Sequence, residues 1–209
     1  MRKVFKLLFL LMSLITNQSY SQPRFGLTSA MNLSVLTGTV NMETNLKPGI
    51  MLGGVVDIPL GNIVSLQPGL VYSAQGSSIT YYRRGPGSAV TGETNINLNY
   101  INVPVALHVY LGESFFLQAG PQLGFLLSAK EKGEIDNDDV NEDVKEGFTS
   151  TEFSLMTGLG FRLQGDVILG GRYNLGLSDI STADDEIISG LMRPSLHNNV
   201  LQFYITKLF

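Results

Sequence analysis

Few residues in this chain could carry acid–base catalysis. It contains two histidines, His108 and His197. A hydrolase needs a histidine base that is oriented by a carboxylate and lies beside a nucleophile. Ser195 and either Asp184 or Asp185 share a segment with His197, but their spacing does not fix the three groups together. We therefore expect no catalytic activity, and a lipid- or peptide-modifying hydrolase is kept as an alternative.

A dense run of carboxylates is the second set of candidate groups. Eight acidic residues and three lysines lie between Lys130 and Gly147. Ca²⁺ takes roughly six to eight oxygen ligands, so such a run could collect it. The candidate ligands are Asp136, Asp138 and Asp139. A calcium loop would continue with an oxygen ligand and a glycine, where this chain has Val140 and Asn141. We expect a solvated loop, with no metal and no cofactor.

The elements that position these residues have a period of two. From Arg24 onward, apolar residues alternate with small or polar ones in eight segments of about ten residues, the length that a tilted strand needs to cross a bilayer. The fifth segment is the clearest. Its apolar residues are Phe115, Leu117, Ala119, Leu123, Phe125 and Leu127, and between them lie Gln118, Gly120, Gln122 and Gly124. The second segment, 47–58, is less regular because Met51 and Val55 fall on its polar side.

The composition of the polar face distinguishes a membrane barrel from a soluble one. A soluble sandwich presents to water a charged face rich in Lys and Glu. Here the second face is mostly Gly, Ser, Asn and Gln, which fits a narrow lumen, while the apolar face suits lipid. Closure also leaves no unpaired sheet edge in hydrocarbon. The sequence therefore predicts an all-β fold, an eight-stranded antiparallel up-and-down transmembrane β-barrel.

Short and long connections alternate between the segments. The short ones are 59–62, 111–114 and 164–165, and the long ones are 36–46, 76–95, 129–150 and 178–198. This rhythm is typical of outer-membrane barrels. It predicts an outer-membrane protein with both termini periplasmic and four long loops extracellular. These loops hold 14 of the 18 acidic residues, so the outer surface is expected to be acidic.

The first 21 residues are predicted to be a signal peptide, and residues 22–209 the barrel domain. Arg2, Lys3 and Lys6 form a basic start, residues 7–15 an apolar core, and residues 19–21 a cleavage site. Three of the 14 basic residues lie in this segment, so 11 remain against 18 acidic residues. The resulting formal charge of −7 argues against a nucleic-acid partner.

An eight-stranded barrel has an interior just wide enough for side chains. We therefore expect a polar network that fills the lumen, and no path for solutes. Its predicted members are Arg172, Arg162, Gln118, Gln122, Asn174 and Tyr204. Seven aromatic residues fall near predicted strand ends, and some of them are expected in the girdles at the two membrane interfaces. The seven are Phe25, Tyr72, Tyr100, Phe115, Phe116, Phe161 and Tyr204.

Several motifs occur together in an order that resembles the PorT-like outer-membrane β-barrel family. They are Phe25-Gly26-Leu27, Asn32-Leu33-Ser34, the runs 66–73, 98–104 and 119–127, and Arg172-Tyr173-Asn174-Leu175-Gly176-Leu177. The resemblance spans nearly the whole of residues 22–209 and implies an eight-stranded barrel in the outer membrane of a Gram-negative cell. Phe203, Ile205 and Phe209 also resemble the C-terminal signal that the barrel-assembly machinery reads.

These observations predict an integral outer-membrane barrel with a structural or interaction role through its four long loops. The expected partners are outer-membrane lipids, lipopolysaccharide and the barrel-assembly machinery, together with envelope or secretion proteins. The resemblance alone suggests the alternative role of an accessory component in a protein-secretion or envelope-assembly machine.

Overall fold

The computed structural model describes residues 22–38, 43–85, 88–135, 138–182 and 195–209. The predicted signal peptide lies outside the described residues. Within these ranges, no helix is long and apolar enough to cross a membrane.

The described residues form ten strands and one short 3₁₀ turn. The strands are β1 (Arg24–Thr37), β2 (Glu43–Asn45), β3 (Lys47–Pro59), β4 (Val64–Gly85), β5 (Ser88–Tyr110), β6 (Phe115–Ile135), β7 (Asp138–Asp143), β8 (Thr151–Leu163), β9 (Val167–Gly176) and β10 (His197–Leu208). The 3₁₀ turn spans Lys145–Gly147.

Eight of these strands close into a ring in which neighbours are antiparallel. Around the ring the order is β1, β3, β4, β5, β6, β8, β9 and β10, and β10 pairs back to β1. This last seam runs from Gly26 opposite Leu208 to Thr37 opposite His197. Successive ring strands are therefore neighbours, which confirms the predicted eight-stranded up-and-down barrel. The two remaining strands extend the sheet beyond the ring, β2 beside β4 and β7 beside β6.

The two faces of the barrel wall differ as the alternation predicts. Large apolar side chains cover the outside, and Phe25, Leu27 and Ile50 are among the most exposed. The inner face is buried and mostly polar. Met51 and Val55, which made the second segment irregular, point into the lumen from β3 and are buried there. An apolar outer wall suits a lipid bilayer. The hydrogen bonds between strands satisfy the backbone groups, which lipid could not do.

Of the seven aromatic residues near predicted strand ends, four take the outer face that a girdle requires and three do not. Tyr100, Phe116 and Tyr204 are buried inside the barrel, whereas Phe25, Tyr72, Phe115 and Phe161 lie on the outer face. Proximity to a strand end says nothing about the face that a side chain takes. The period-two position does, since Tyr100 shares its face with the buried Asn102.

The two ends of the barrel carry different connections. At one end, here the short-turn end, the strands are joined at 60–63, 111–114 and 164–166, and residues 22 and 209 lie near them. In the last turn, Gly165 and Asp166 have φ values of 73° and 56°. Glycine adopts this left-handed conformation freely, and aspartate tolerates it better than most residues. The opposite end, here the long-loop end, holds the remaining connections.

Two predicted long loops, 76–95 and 129–150, are strands for much of their length. β4 continues to Gly85, β5 begins at Ser88, and β6 runs to Ile135 before the chain returns as β7. The prediction fails there because hydrophobic alternation fades above the lipid while backbone pairing continues. The extended strands form what we call the projecting sheet, in the order β2, β4, β5, β6, β7.

Candidate functional site

The lumen is filled by successive layers of side chains, and the first is an ionic cluster at the short-turn end. Asp57 is fully buried, and its Oδ2 accepts from Arg24 Nη2 at 3.1 Å and from Arg162 Nη2 at 2.8 Å. Arg24 also pairs with Asp166 at 2.6 Å. Two guanidinium groups thus share one buried carboxylate, an arrangement in which removal of the carboxylate would leave uncompensated charge.

A cavity of about 380 Å³ opens beside this cluster. Arg24, Asp57 and Arg162 line it together with Ser65 and Tyr110. The Arg162 guanidinium lies 5.1 Å from the centre of the Tyr110 ring, within the range of a cation–π contact. The lining is mainly polar, and one of its residues, Tyr110, packs against the next layer.

That next layer is largely apolar and contains one of the two histidines. Val55, Phe116, Ile168, Tyr204 and Leu208 form a buried cluster. His108 is fully buried and stacks on Phe116 with a centroid distance of 4.4 Å. A histidine packed on a phenylalanine inside a barrel is out of reach of an external substrate.

A buried arginine occupies the middle of the lumen. Arg172 Nε donates to Gln202 Oε1 at 2.6 Å, and its guanidinium lies 5.3 Å from the centre of the Tyr204 ring. Its Nη2 is 3.2 Å from Met51 Sδ. The ion pairs found among the described residues do not include it. The charge is therefore stabilised by a charge-assisted hydrogen bond and an aromatic ring.

Gln202 connects the buried arginine to the neighbouring strands. Its Oε1 also accepts from Asn174 Nδ2 at 2.9 Å, and its Nε2 donates to Asn32 Oδ1 at 2.8 Å. Below it, Gln118 Nε2 donates to the Tyr204 hydroxyl at 2.8 Å. Strand β9 places Arg172 directly opposite Gly158, and a Cβ on that glycine would lie 2.7 Å from Arg172 Cβ. A glycine is needed there because the same Cβ would also lie 2.3 Å from the backbone oxygen of Gly171, so the backbone of β9 leaves no room for a side chain.

A polar layer follows toward the long-loop end. Asn198 Nδ2 donates both to Gln75 Oε1 at 2.5 Å and to Glu152 Oε2 at 3.1 Å. Gln122 Nε2 donates to Ser154 Oγ at 3.3 Å. These side chains are buried, so they continue the packing of the lumen above Gln202.

An apolar cap closes the long-loop end. It consists of Leu36, Ile79, Ile96, Leu98, Tyr100, Leu126, Ala129, Val144, Phe148, Ile180 and Leu196. The connections after β7 and β9 contribute to it, and they are tied together by Thr149 N donating to Ile180 O at 2.8 Å and Ile180 N donating to Leu196 O at 2.9 Å. The cap therefore folds over the lumen as an ordered structure.

The remaining candidates for catalysis or metal binding do not form a site in the described residues. His197 Nδ1 lies 3.0 Å from the carbonyl oxygen of Ser178, and Asp184 and Asp185 fall outside the described ranges. Of the candidate calcium ligands, Asp136 also falls outside them, and Asp138 and Asp139 belong to β7. In the part of the chain that the structure describes, no group of three or more His, Cys, Asp or Glu side chains could hold a metal ion.

With this geometry in place, the family can be identified from the sequence. Residues 17–182 match the family model of the outer membrane protein beta-barrel domain. The chain belongs to this family. It is therefore a protein of the outer membrane, with the closed and filled barrel described above. No curated protein sequence matches the chain.

Solved outer-membrane barrels share the general architecture at low sequence identity. Neisserial surface protein A is 12% identical, with a TM-score of 0.49 and coverage of 90% of this chain and 100% of that chain. Ail of Yersinia pestis, in complex with the heparin analogue sucrose octasulfate, is 12% identical with a TM-score of 0.47 and the same coverage. CarO of Acinetobacter baumannii is 10% identical with a TM-score of 0.45, covering 87% of this chain and 97% of that one.

The predicted lumen residues of this outer-membrane barrel fall into three groups. Arg172, Asn174, Gln118 and Tyr204 lie in the connected middle layers, Arg162 belongs to the ionic cluster, and Gln122 lies apart with Ser154. Sequence reasoning missed Gln202, Asn32 and Arg24 as partners. Each lies on the inward side of its alternating strand, so the signal was present, but side-chain partners depend on strand register.

The predicted assembly-signal residues lie at the outer surface of the final strand. Phe203 and Ile205 are about half exposed on β10, and Phe209 follows it with 73% exposure. The Phe209 backbone N–H donates to Phe25 O at 2.8 Å, which ties the end of the chain to β1.

Proposed function

We propose that this protein is a closed outer-membrane barrel without catalytic activity, whose structural or interaction role is carried by the long-loop end on the outside of the cell. The observation that carries the proposal is the filled lumen. From the ionic cluster to the apolar cap, side chains occupy each level, so the elaborated part of the molecule is its projecting sheet and the adjoining connections.

A conducting role would require a continuous aqueous path, and the lumen opposes one at two levels. In the middle, Arg172 is packed against Met51 and Tyr204. At the long-loop end, the apolar cap would have to open before water could enter. Eight-stranded barrels have little space beyond what side chains fill.

The outward orientation of the long-loop end rests on the rhythm of the connections. Outer-membrane barrels have short periplasmic turns and longer external loops. With an even number of strands, both termini then lie in the periplasm. The expected neighbours of the wall are outer-membrane lipids and lipopolysaccharide, and Phe203, Ile205 and Phe209 would be read by the barrel-assembly machinery during insertion.

The finer assignment to PorT-like barrels is part of this proposal, and it is supported by the motifs at 66–73, 98–104 and 119–127. These motifs lie on β4, β5 and β6, three adjacent strands of the wall. Membership of a secretion or envelope-assembly machine would predict co-purification with other envelope proteins after gentle detergent extraction. Recovery as a lone monomer would exclude that machine and leave the simpler interaction role.

Orientation can be tested cleanly because the chain contains no cysteine. Ser195→Cys places a thiol on an exposed residue of the long-loop end, and Asn62→Cys places one at the short-turn end. A membrane-impermeant maleimide should label intact cells that carry the first variant and leave the second unlabelled. Labelling of the second variant alone would reverse the orientation.

The interaction role and the closed lumen need separate measurements. A photo-cross-linker at position 195 should give adducts with a partner in cells, and one at position 62 should not give the same adducts. Absence of adducts at position 195 and at the exposed residues of β7 would contradict the interaction role. Purified protein in planar bilayers should be electrically silent, and discrete conductance steps would contradict the closed lumen.

A further inference from the structure

We infer that the outer edge of β7 is a docking site for an extended, positively charged segment of a partner protein, which adds as a further strand to the projecting sheet. This inference rests on the proposed function, because it names the place and the partner class of the interaction surface. Two independent features of the described residues support it: an unpaired backbone edge and a row of acidic side chains that ends on that edge.

The backbone feature follows from the pairing of β7. This strand pairs with β6 on one side, and no described strand pairs with its other side. Val144 N donates to Ala129 O at 3.1 Å in the same register, so Glu142, Val140 and Asp138 direct their hydrogen-bonding groups to β6. The alternate residues therefore direct theirs to the free edge. They are Asp139, Asn141 and Asp143.

The edge is held in place at its base. Val144 and Phe148 follow β7 closely and are buried in the apolar cap. Lys145 N donates to Asp143 Oδ1 at 3.0 Å, which fixes the turn between them. An edge that is already extended and anchored loses less conformational entropy when a strand adds to it.

The charge feature is a row of carboxylates across three strands. Glu93 on β5 lies opposite Glu134 on β6, and Glu134 lies opposite Asp139 on β7. All three side chains are exposed. Like charges directly opposite each other in a sheet are destabilising, so the row is an electrostatic cost that a cationic neighbour would remove. The row lies on the side-chain face of Asp139, Asn141 and Asp143. On that face β6 also places Lys132 opposite Asn141 and Lys130 opposite Asp143, so the face carries four carboxylates against two ammonium groups and keeps a negative charge.

The chemistry of the partner follows from these two features. A strand added beside β7 satisfies the N–H and C=O groups of the three edge residues, and its alternate side chains lie on the same face as the acidic row. Lys or Arg at those positions would continue the row with opposite charge. Segment β7 contains four acidic residues and no basic one, so an acidic strand would be repelled.

The opposite edge of the projecting sheet is a poorer site. It is β2, which has three residues and pairs with β4 from Glu43 opposite Thr80 to Asn45 opposite Ser78. A three-residue edge gives few main-chain hydrogen bonds. Short edges are one way in which proteins prevent unwanted strand addition.

The test uses the full chain in lipid nanodiscs and a synthetic peptide of alternating Lys and Thr. Binding is measured by fluorescence anisotropy, and hydrogen exchange of individual amides is followed by NMR. The peptide should slow exchange at the amides of Asp139, Asn141 and Asp143. The amides of Val140 and Glu142 are internal controls because they already pair with β6. Binding without new protection at the three edge amides would overturn the inference.

Two variants separate the backbone edge from the charges. Asn141→Pro removes an edge donor while leaving the pairs with β6, and proline is tolerated on edge strands at such positions. This variant should weaken binding of the Lys-Thr peptide about tenfold, because one main-chain hydrogen bond is lost and the proline ring projects toward the added strand. Asp139→Asn should weaken binding of the Lys-Thr peptide and leave the affinity for a Ser-Thr peptide unchanged. If the Lys-Thr peptide binds Asn141→Pro as tightly as the wild type, strand addition is refuted. If a Glu-Thr peptide binds the wild type as tightly as the Lys-Thr peptide does, the preference for a positively charged partner is refuted.

Failure of this inference can be distinguished from failure of the proposed function. Cross-linking in cells from position 195 but not from position 141 would mean that the long-loop end binds a partner elsewhere, which refutes docking at β7 and supports the interaction role. Absence of adducts at both positions would contradict both proposals.

Discussion

Arg172 and its hydrogen-bond acceptor Gln202 should contribute unequally to the free energy of unfolding of the barrel. Arg172→Met removes a buried charge, fills most of the same space, and costs one charge-assisted hydrogen bond and one cation–π contact. Replacing buried ionic groups by apolar ones of similar size is often neutral. We therefore expect a free energy of unfolding within about 1 kcal/mol of the wild type.

Gln202→Leu has the opposite effect because it leaves the arginine charged and without its acceptor. Gln202 makes three side-chain hydrogen bonds to nitrogen or oxygen atoms, of Arg172, Asn174 and Asn32, and a weaker one to Met51 Sδ. The charge-assisted bond contributes about 1.5–3 kcal/mol and each neutral one about 1 kcal/mol. The expected loss in the free energy of unfolding is about 3–5 kcal/mol.

The double variant separates the effect of the uncompensated arginine charge from the effect of the other contacts that Gln202 makes. Without Arg172, the leucine at position 202 faces no uncompensated charge, so Arg172→Met combined with Gln202→Leu should be less destabilised than Gln202→Leu alone, by about 1.5–3 kcal/mol. The assay is reversible urea unfolding in lipid vesicles, followed by intrinsic tyrosine fluorescence and heat-modifiable migration on gels. Additive effects in the double variant, or a loss above about 3 kcal/mol for Arg172→Met alone, would refute this account of the lumen.

Three further predictions concern the ends of the barrel. Asp57→Ala should lower the free energy of unfolding by about 3 kcal/mol or more because two guanidinium groups lose their shared carboxylate, whereas Asp166→Ala, at a side chain that is 46% exposed, should cost less than about 1 kcal/mol. Gly76→Val should disorder the β4–β5 hairpin because φ is +130° and a Cβ would lie 1.9 Å from a carbonyl oxygen of β5. Gly112→Val, in the turn between β5 and β6, carries the backbone strain of φ +92° but meets no neighbouring atom, so it should disturb the β5–β6 hairpin less. Burial acts to raise the pKa of Asp179, but three hydrogen bonds from Ser181 and Leu196 outweigh it and hold the pKa below its usual value of 3.8. The stabilisation of this loop should therefore be present above pH 3.8 and be lost as the pH falls through the lowered value.

The controls for these predictions are specific to each site. Urea unfolding compares the two aspartate variants, and equal losses would argue against the importance of burial at Asp57. Limited proteolysis compares the two glycine variants, and cleavage of both hairpins to the same extent would contradict the steric argument. For the loop, hydrogen exchange of the Leu196 amide is measured against pH, with Asp179→Asn as the control, and an identical pH profile in both proteins would refute the role of the carboxylate.

The strand count and the face of each strand were predictable from sequence because lipid imposes a hydrophobic alternation on the outer wall. The irregular segment at 47–58 shows the limit of that signal, since Met51 and Val55 are apolar residues on the inner face. They serve as packing for Arg172 and the apolar layer below it, which only the closed structure brings together.

The projecting sheet was not predictable for a related reason. Above the bilayer, residues such as Thr94 and Glu93 alternate in burial but not in a way that hydrophobicity alone reveals. The pairing of Glu93, Glu134 and Asp139 depends on register across three strands, and register is a property of the assembled sheet. The outward or inward position of Gln202 could be seen in the sequence, whereas its three partners could not.

The seam between β10 and β1 links the completion of the wall to the completion of the interior. Gln202 lies on β10, the last ring strand in chain order, and it supplies the acceptor for Arg172 on β9 and the donor for Asn32 on β1. Until that strand arrives, an inserting chain has an open wall and an exposed arginine in the same place. The pairing that closes the wall therefore also supplies the hydrogen-bond acceptor of the buried arginine, and a chain that stops short of residue 202 lacks both.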